Sequence, residues 1–111
     1  MVFALVGGEN VILVTDSMAA TGLPDGDYDL GAAGVKVHNG EARLRSNGAL
    51  AGGTATLLEV ARRTVEAGVD AASAVVSATA VPARILGLQQ EVGSLRSGLR
   101  ADIPALPYCI M

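Results

Sequence analysis

The stretch VILVTDSMAATGLPDGDY, residues 11–28, decides how this chain is read. Residues 11–15 are apolar or β-branched with no polar alternation, the pattern of a strand buried on both faces in a parallel sheet covered by helices. An acid, Asp16, stands where the apolar run stops. Ser17, Met18, small residues and a Pro24-Asp25-Gly26 turn follow. From Asp16 to Gly34 no period is visible, so a long loop is expected, and a loop of that length in a small chain is functional or disordered. Acids at the C-terminal ends of parallel strands are where barrel enzymes keep their chemistry. The alternative is local: Asp16 caps a turn or a helix starting at Ser17, its carboxylate accepting backbone N–H groups.

Working outward, residues 1–6 (MVFALV) are a second apolar run and the one other strand candidate, separated by the loop residues Gly7, Gly8 and Asn10. Residues 34–45 (GVKVHNGEARLR) carry the clearest local signal. Asn39-Gly40 is a preferred two-residue hairpin turn. Pairing outward sets His38 opposite Glu41, Val37 opposite Ala42, Lys36 opposite Arg43 and Val35 opposite Leu44. Val35, Val37, Ala42 and Leu44 then share an apolar face that needs a larger body to cover.

The period becomes helical after residue 53. Thr56 with Glu59 fits a capping box; Leu57, Leu58, Ala61 and Val65 form a stripe; Gly68 suits the C-terminal cap. Asp70 caps a second helix from Ala71 to about Val81, and Pro82 opens a separate turn closed by Gly87. The tail GSLRSGLRADI reads as short strands and turns. One buried strand with at most one parallel neighbour does not close into a domain, so the chain reads as a piece of something larger.

Composition excludes several classes. The 111 residues are 50% hydrophobic but only 3% aromatic, so the core is built from small side chains, and the net charge is −3. No basic stripe is present, which argues against a nucleic-acid partner. No apolar run has the length of a membrane span. The first residues lack a basic lead and a cleavage pattern and make a poor signal peptide. Cys109 is the only cysteine and has no internal partner, which suits a reducing cytoplasm. His38 is the only histidine, and its place in the hairpin suits a cross-strand partner for Glu41 better than a metal ligand. No HxH, CxxC or HExxH pattern exists. Ser17 lacks a nearby base that would make it a nucleophile. Asp25, Asp27 and Asp29 lack the bidentate Glu of a calcium loop and read as a solvated turn. Arg62, Arg63 and Glu66 read as a wet helix face.

The series LVTDSMAATGLPDGDYDLG, LAGGTATLLEVARR, ATAVPARILGL and GSLRSGLRADI, in that order, resembles the C-terminal part of the N-acetylglucosamine-6-phosphate deacetylase family of the amidohydrolase superfamily, from about Val11 to Ile103. The joint presence of TD-x-M-AA-x-G and LAG is specific, whereas G-x-L-x-x-G-x-x-AD is superfamily-wide. The resemblance implies an α/β fold: the last strand and helices of a (β/α)8 barrel over residues 1–91, with a hairpin insertion at 34–45, and the start of a small β-sandwich over residues 92–111. It implies that Asp16 is the general base, acting on a metal-bound water and then protonating the leaving amine, and that Leu50, Ala51 and Gly52 cover the sugar phosphate through their backbone. A divalent metal, zinc or iron, is implied for the complete enzyme and none on this segment alone, which is therefore expected to be inactive by itself. The implied partner is a small amino-sugar phosphate, without nucleic acid or membrane, and the uncovered strand is expected to make a homo-oligomer.

There are three departures from the family pattern. Ser17 stands where Ala is common, Gly53 follows LAG where Ser is usual, and Pro104 and Pro107 interrupt the strand expected after Ala101-Asp102, so an altered or truncated end is expected. Two other readings stay open: a non-catalytic module that associates through the uncovered strand and hairpin, and an amidohydrolase acting on a different amide.

Overall fold

The computed structural model describes residues 2–104. Cys109, Pro107 and the end of the 92–111 segment lie outside the described residues. The chain divides into two compact units: residues 14–60, and the described residues up to Leu13 together with those from Ala61 onward.

The 14–60 unit is a four-stranded antiparallel meander, β1 (Gly26–Leu30), β2 (Ala33–His38), β3 (Glu41–Leu44) and β4 (Leu50–Gly53), in that spatial order. The β2–β3 register has His38 opposite Glu41, Val37 opposite Ala42, Lys36 opposite Arg43 and Val35 opposite Leu44, as the Asn39-Gly40 turn predicts. Both turn residues adopt positive φ, 50° and 75°, which matches the right-handed twist of the strands they join. Val35, Val37 and Ala42 are buried with Ala20, and Met18, Tyr28, Leu30, Leu44 and Ala51 pack against them. Val37→Ala should therefore cost about 1.5–3 kcal/mol, the loss of two buried methyl groups plus the void they leave. Lys36→Ala on the opposite face should stay within about 0.5 kcal/mol. Denaturant midpoints of the two variants check this, and equal effects would contradict the facing of the strand.

The loop expected from Asp16 to Gly34 is in part a strand. In β1 Tyr28 and Leu30 face inward while Asp27 and Asp29 face water. This period-two pattern is masked in the sequence by the Pro-Asp-Gly turn and by the acids on its outer face. Gly31, at φ 63°, starts the two-residue link to β2. The acids are not simply solvated. Asp29 pairs with Arg45 at 2.5 Å, and Asp25 Oδ2 accepts the Asn39 N–H at 2.9 Å and lies 3.2 Å from His38 Nδ1. His38 thus finds Asp25 rather than Glu41 as its side-chain partner, because Glu41 is held by Arg43 at 2.9 Å.

Residues 11–15 form no strand. Val11 has extended backbone, and Leu13 N–H donates to the Ser77 carbonyl at 3.0 Å, but no ladder partner exists among the described residues. Ile12 and Val14 are left 39% and 73% exposed. A strand exists only by pairing, and these residues supply no neighbour. Residues 2–6 are a helix, α1 (Val2–Val6), where a strand was the candidate; a short apolar run has no period to separate the two.

The helices from residue 57 and from residue 71 begin where their caps predict. In α2 (Leu57–Glu66), the Glu59 carboxylate accepts the Thr56 N–H at 2.7 Å, and Thr56 Oγ1 accepts the Glu59 N–H at 3.3 Å. Of the expected stripe only Ala61 is buried, with Leu57 and Leu58 39% and 47% exposed. Arg62 and Glu66 form an i,i+4 pair at 3.2 Å. Asp70 caps α3 (Ala71–Ala78) by accepting the Ser73 N–H at 3.0 Å. The hydrogen bonds from Ser73 hold the Asp70 carboxyl below the usual carboxylate range. The second helix ends sooner than Val81: Thr79 breaks it, and α4 (Ala80–Ile85) starts before Pro82, which sits in its first turn. Gly8 lies where a Cβ would meet the Ser73 side chain at 2.6 Å, and buried Ser77 donates to the Gly8 and Ser73 carbonyls as alternatives at 3.0 and 2.6 Å. Residues 86–104 are turns and irregular chain, so the short strands expected there do not appear among the described residues. No described helix is long and apolar enough to cross a membrane.

Candidate functional site

Asp16, Leu50, Ala51 and Gly52 all lie in the 14–60 unit. Backbone contacts join Asp16 to the C-terminal end of β4. The Asp16 carbonyl accepts the Gly53 N–H at 2.7 Å, and the Gly53 carbonyl accepts the Met18 N–H at 2.9 Å. These bonds make an isolated parallel bridge between Ser17 and Gly53. Ser17 and Gly53, the two positions expected to depart from the pattern in these motifs, are thus bridge partners.

Glycine is required here by close approach. A Cβ on Gly52, whose φ is 141°, would lie 3.2 Å from the Asp16 carbonyl oxygen and 3.4 Å from Met18 Cβ, and one on Gly53 would overlap the Thr15 carbonyl oxygen. The cap of α2 is provided by Thr56 and Glu59 and not by Gly53. The pairing of β3 with β4 slips between Ala42–Gly52 and Arg43–Leu50. Ala51 is the extra residue of the resulting bulge, a device that re-aims neighbouring side chains. Ala51 packs on the sheet core, whereas Leu50 is 63% exposed.

Asp16 itself has φ 51°; it and Asn39 are the two non-glycine residues with positive φ among those described. For an L-residue this conformation costs on the order of 1 kcal/mol, least for Asp and Asn. No helix starts at Ser17. The Asp16 side chain is exposed and joins no hydrogen bond or ion pair among the described residues, so it is not the turn or helix cap of the local alternative. An exposed carboxylate without a partner among the described residues can accept a proton at either oxygen.

The described residues do not gather a set of side chains that fits a metal ion. No group of three or more His, Cys, Asp and Glu among the described residues is placed to hold one, and His38 is turned to Asp25 in the hairpin. Ser17 offers no nucleophile: its Oγ donates to the Ala55 carbonyl at 2.6 Å. That bond has no signal in the sequence, because a serine after an acid is unremarkable until Ala55 is brought beside it.

The chain is similar to the N-acetylgalactosamine-6-phosphate deacetylase of Escherichia coli O157:H7, 43% identical over 99 residues that make up 88% of this chain and 26% of the relative. It is similar to the N-acetylglucosamine-6-phosphate deacetylase of Vibrio furnissii, 39% identical over 102 residues, 89% of this chain and 25% of the relative. A relative from Escherichia coli K12, 43% identical over 99 residues, is covered to 59%. The chain thus spans about a quarter of two of these relatives and less than two thirds of the third. Among solved structures, the Mycobacterium smegmatis N-acetyl-D-glucosamine-6-phosphate deacetylase, an aspartate-to-alanine variant in complex with N-acetyl-D-glucosamine-6-phosphate, superposes with a TM-score of 0.77 at 40% identity over 90% of this chain and 27% of that one. The sequence model of the amidohydrolase family matches residues 4–108, and with these relatives it establishes that the chain belongs to the amidohydrolase family.

Proposed function

We propose that this chain is the part of an amino-sugar-6-phosphate deacetylase that carries the general base, Asp16, and part of the substrate cover, Leu50, Ala51 and Gly52. The observation that carries the reading is the Asp16 carboxylate, which joins no hydrogen bond or ion pair among the described residues, on a left-handed turn bonded to Gly53. Such a group can take a proton from a water as its oxygen attacks the acetamide carbonyl. It can then return that proton to the nitrogen as the C–N bond breaks, releasing acetate and the amine. Gly52, having no side chain, lets the β4 backbone approach a sugar closely, and the bulge at Ala51 leaves Leu50 exposed above it.

In this reading residues 11–15 are the last strand of a (β/α)8 barrel and α2 to α4 belong to its helical layer. The missing ladder partners and the exposure of Ile12 and Val14 support that placement. A divalent metal, zinc or iron, would be held by residues other than these. The same exposed side chains also favour association of copies of the chain, the one alternative with an observation behind it. The substrate is N-acetylglucosamine 6-phosphate, whose deacetylases are among the relatives. The galactosamine epimer, which differs only in the C4 configuration, is the substrate named for another.

The test is to graft this chain in place of the matching segment of the Mycobacterium smegmatis enzyme and assay acetate release from both epimers. Turnover within about tenfold of the parent on at least one epimer is expected. A folded, metal-loaded graft that hydrolyses neither would overturn the reading.

A further inference from the structure

Gly52 sits where the sheet meets the turn that carries Asp16. It directly follows Ala51, the extra residue of the β3–β4 slip, and its φ is 141°, a value that glycine adopts freely and other residues only with strain. The peptide that joins it to Gly53 supplies the N–H that the Asp16 carbonyl accepts at 2.7 Å. The same carbonyl oxygen limits what can stand at residue 52. A Cβ there would lie 3.2 Å from it, and 3.4 and 3.6 Å from Met18 Cβ and Cγ. The oxygen cannot retreat without giving up the Gly53 bond, and Met18 is packed on the sheet core. A side chain at residue 52 would therefore meet the backbone of the acid itself. It would turn the 52–53 peptide, displace the Asp16 carbonyl, or do both.

We propose that Gly52 is a positioning residue for Asp16: the absence of a side chain there lets β4 seat against the Asp16 carbonyl and fixes the left-handed backbone that carries the acid. This is a second use of the glycine, separate from the approach of backbone to sugar, and it rests on the reading of Asp16 as general base. The two uses leave different traces. A misplacement on the order of 1 Å at a reacting group costs about a hundredfold in rate, whereas binding lost equally from ground and transition state raises KM and leaves kcat alone.

The experiment is a double-mutant cycle in the grafted deacetylase: the graft, Gly52→Ala, Asp16→Asn and the two together. Gly31→Ala is the control, because Gly31 also has positive φ, 63°, but a Cβ there would meet nothing within 4 Å. Gly52→Ala is expected to lower kcat about ten- to a hundredfold, with KM and metal content within about twofold. In the Asp16→Asn background the same change should lower kcat by less than about threefold, since residues that act as a unit are not additive. Gly31→Ala should keep the kcat of the graft. An equal loss in both backgrounds overturns the inference, as that is general damage. So does a rise in KM at unchanged kcat, which would leave the glycine its approach to the sugar alone, or a loss that Gly31→Ala shares. A Gly52→Ala graft that fails to fold or to hold metal overturns it as well, because the glycine would then serve the fold and not the acid. All of these outcomes leave the general-base reading standing. Near-normal turnover in Asp16→Asn, or a parent graft without turnover, overturns that reading and this inference with it.

Discussion

Asp16→Asn is expected to lower turnover about 10²–10⁴-fold, the usual worth of general-base help, with KM and metal content nearly unchanged. The backbone makes this substitution unusually clean. Asn tolerates positive φ as well as Asp does, so φ 51° at this position is kept and the bonds to Gly53 are not disturbed. The carboxylate joins no hydrogen bond or ion pair among the described residues, so no structural contact is lost with the charge. What disappears is the capacity to hold a proton. Asp16→Ala should do more harm, because it removes the proton acceptor and also places a residue without a polar side chain in the left-handed region, at a cost on the order of 1 kcal/mol. Kinetics of both variants in a full-length enzyme carrying this segment separate the two effects. A fall in kcat and kcat/KM together, at constant KM, marks an interaction made in the transition state. Near-normal turnover in the Asn variant would remove Asp16 from the reaction.

What could be read in advance follows the range of the interactions involved. The Asn39-Gly40 turn, its register and the face shared by Val35, Val37 and Ala42 were legible because a two-residue turn fixes pairing within a few residues of itself. The caps at Thr56 and Asp70 were legible for the same reason: donor and acceptor stand three residues apart. Strand β1 was missed because its inward residues, Tyr28 and Leu30, alternate with acids in a stretch crowded with turn formers. Only the pairing with β2 makes it a strand. Residues 11–15 failed in the opposite way. Their composition is that of a buried strand, but burial and pairing depend on neighbours that the described residues do not contain. At the site, the position of Asp16 was suggested by its place after an apolar run. Its backbone link to Gly53 and the hydroxyl contact from Ser17 to Ala55 join residues 37 or more positions apart in sequence, and no local pattern announces them.

The 111-residue chain by itself is expected to release no acetate from N-acetylglucosamine 6-phosphate above background, with or without added zinc or iron. The argument is one of magnitude. A proton acceptor contributes about 10²–10⁴-fold, whereas enzymes typically accelerate their reactions by at least roughly 10⁶. The difference must come from activating the water and orienting the sugar. For the first, the chain contains one histidine, engaged with Asp25, and its described residues bring no three metal-ligating side chains together. For the second, Leu50, Ala51 and Gly52 offer a single strand end, and a reactant held on one side gains little of the roughly 7–11 kcal/mol that full orientation supplies. The exposed apolar side chains of Val14, at 73% in a segment with no ladder partner among the described residues, and of Leu50, at 63% on the edge strand β4, should drive copies of the chain together, because open strand edges and exposed apolar side chains recruit partners. Acetate assays run beside sedimentation measurements test both statements. Metal-dependent turnover from a monodisperse monomer would defeat them together, while an inactive monomer would defeat only the second. Activity confined to an assembled form would mean that copies supply to one another what a single chain lacks.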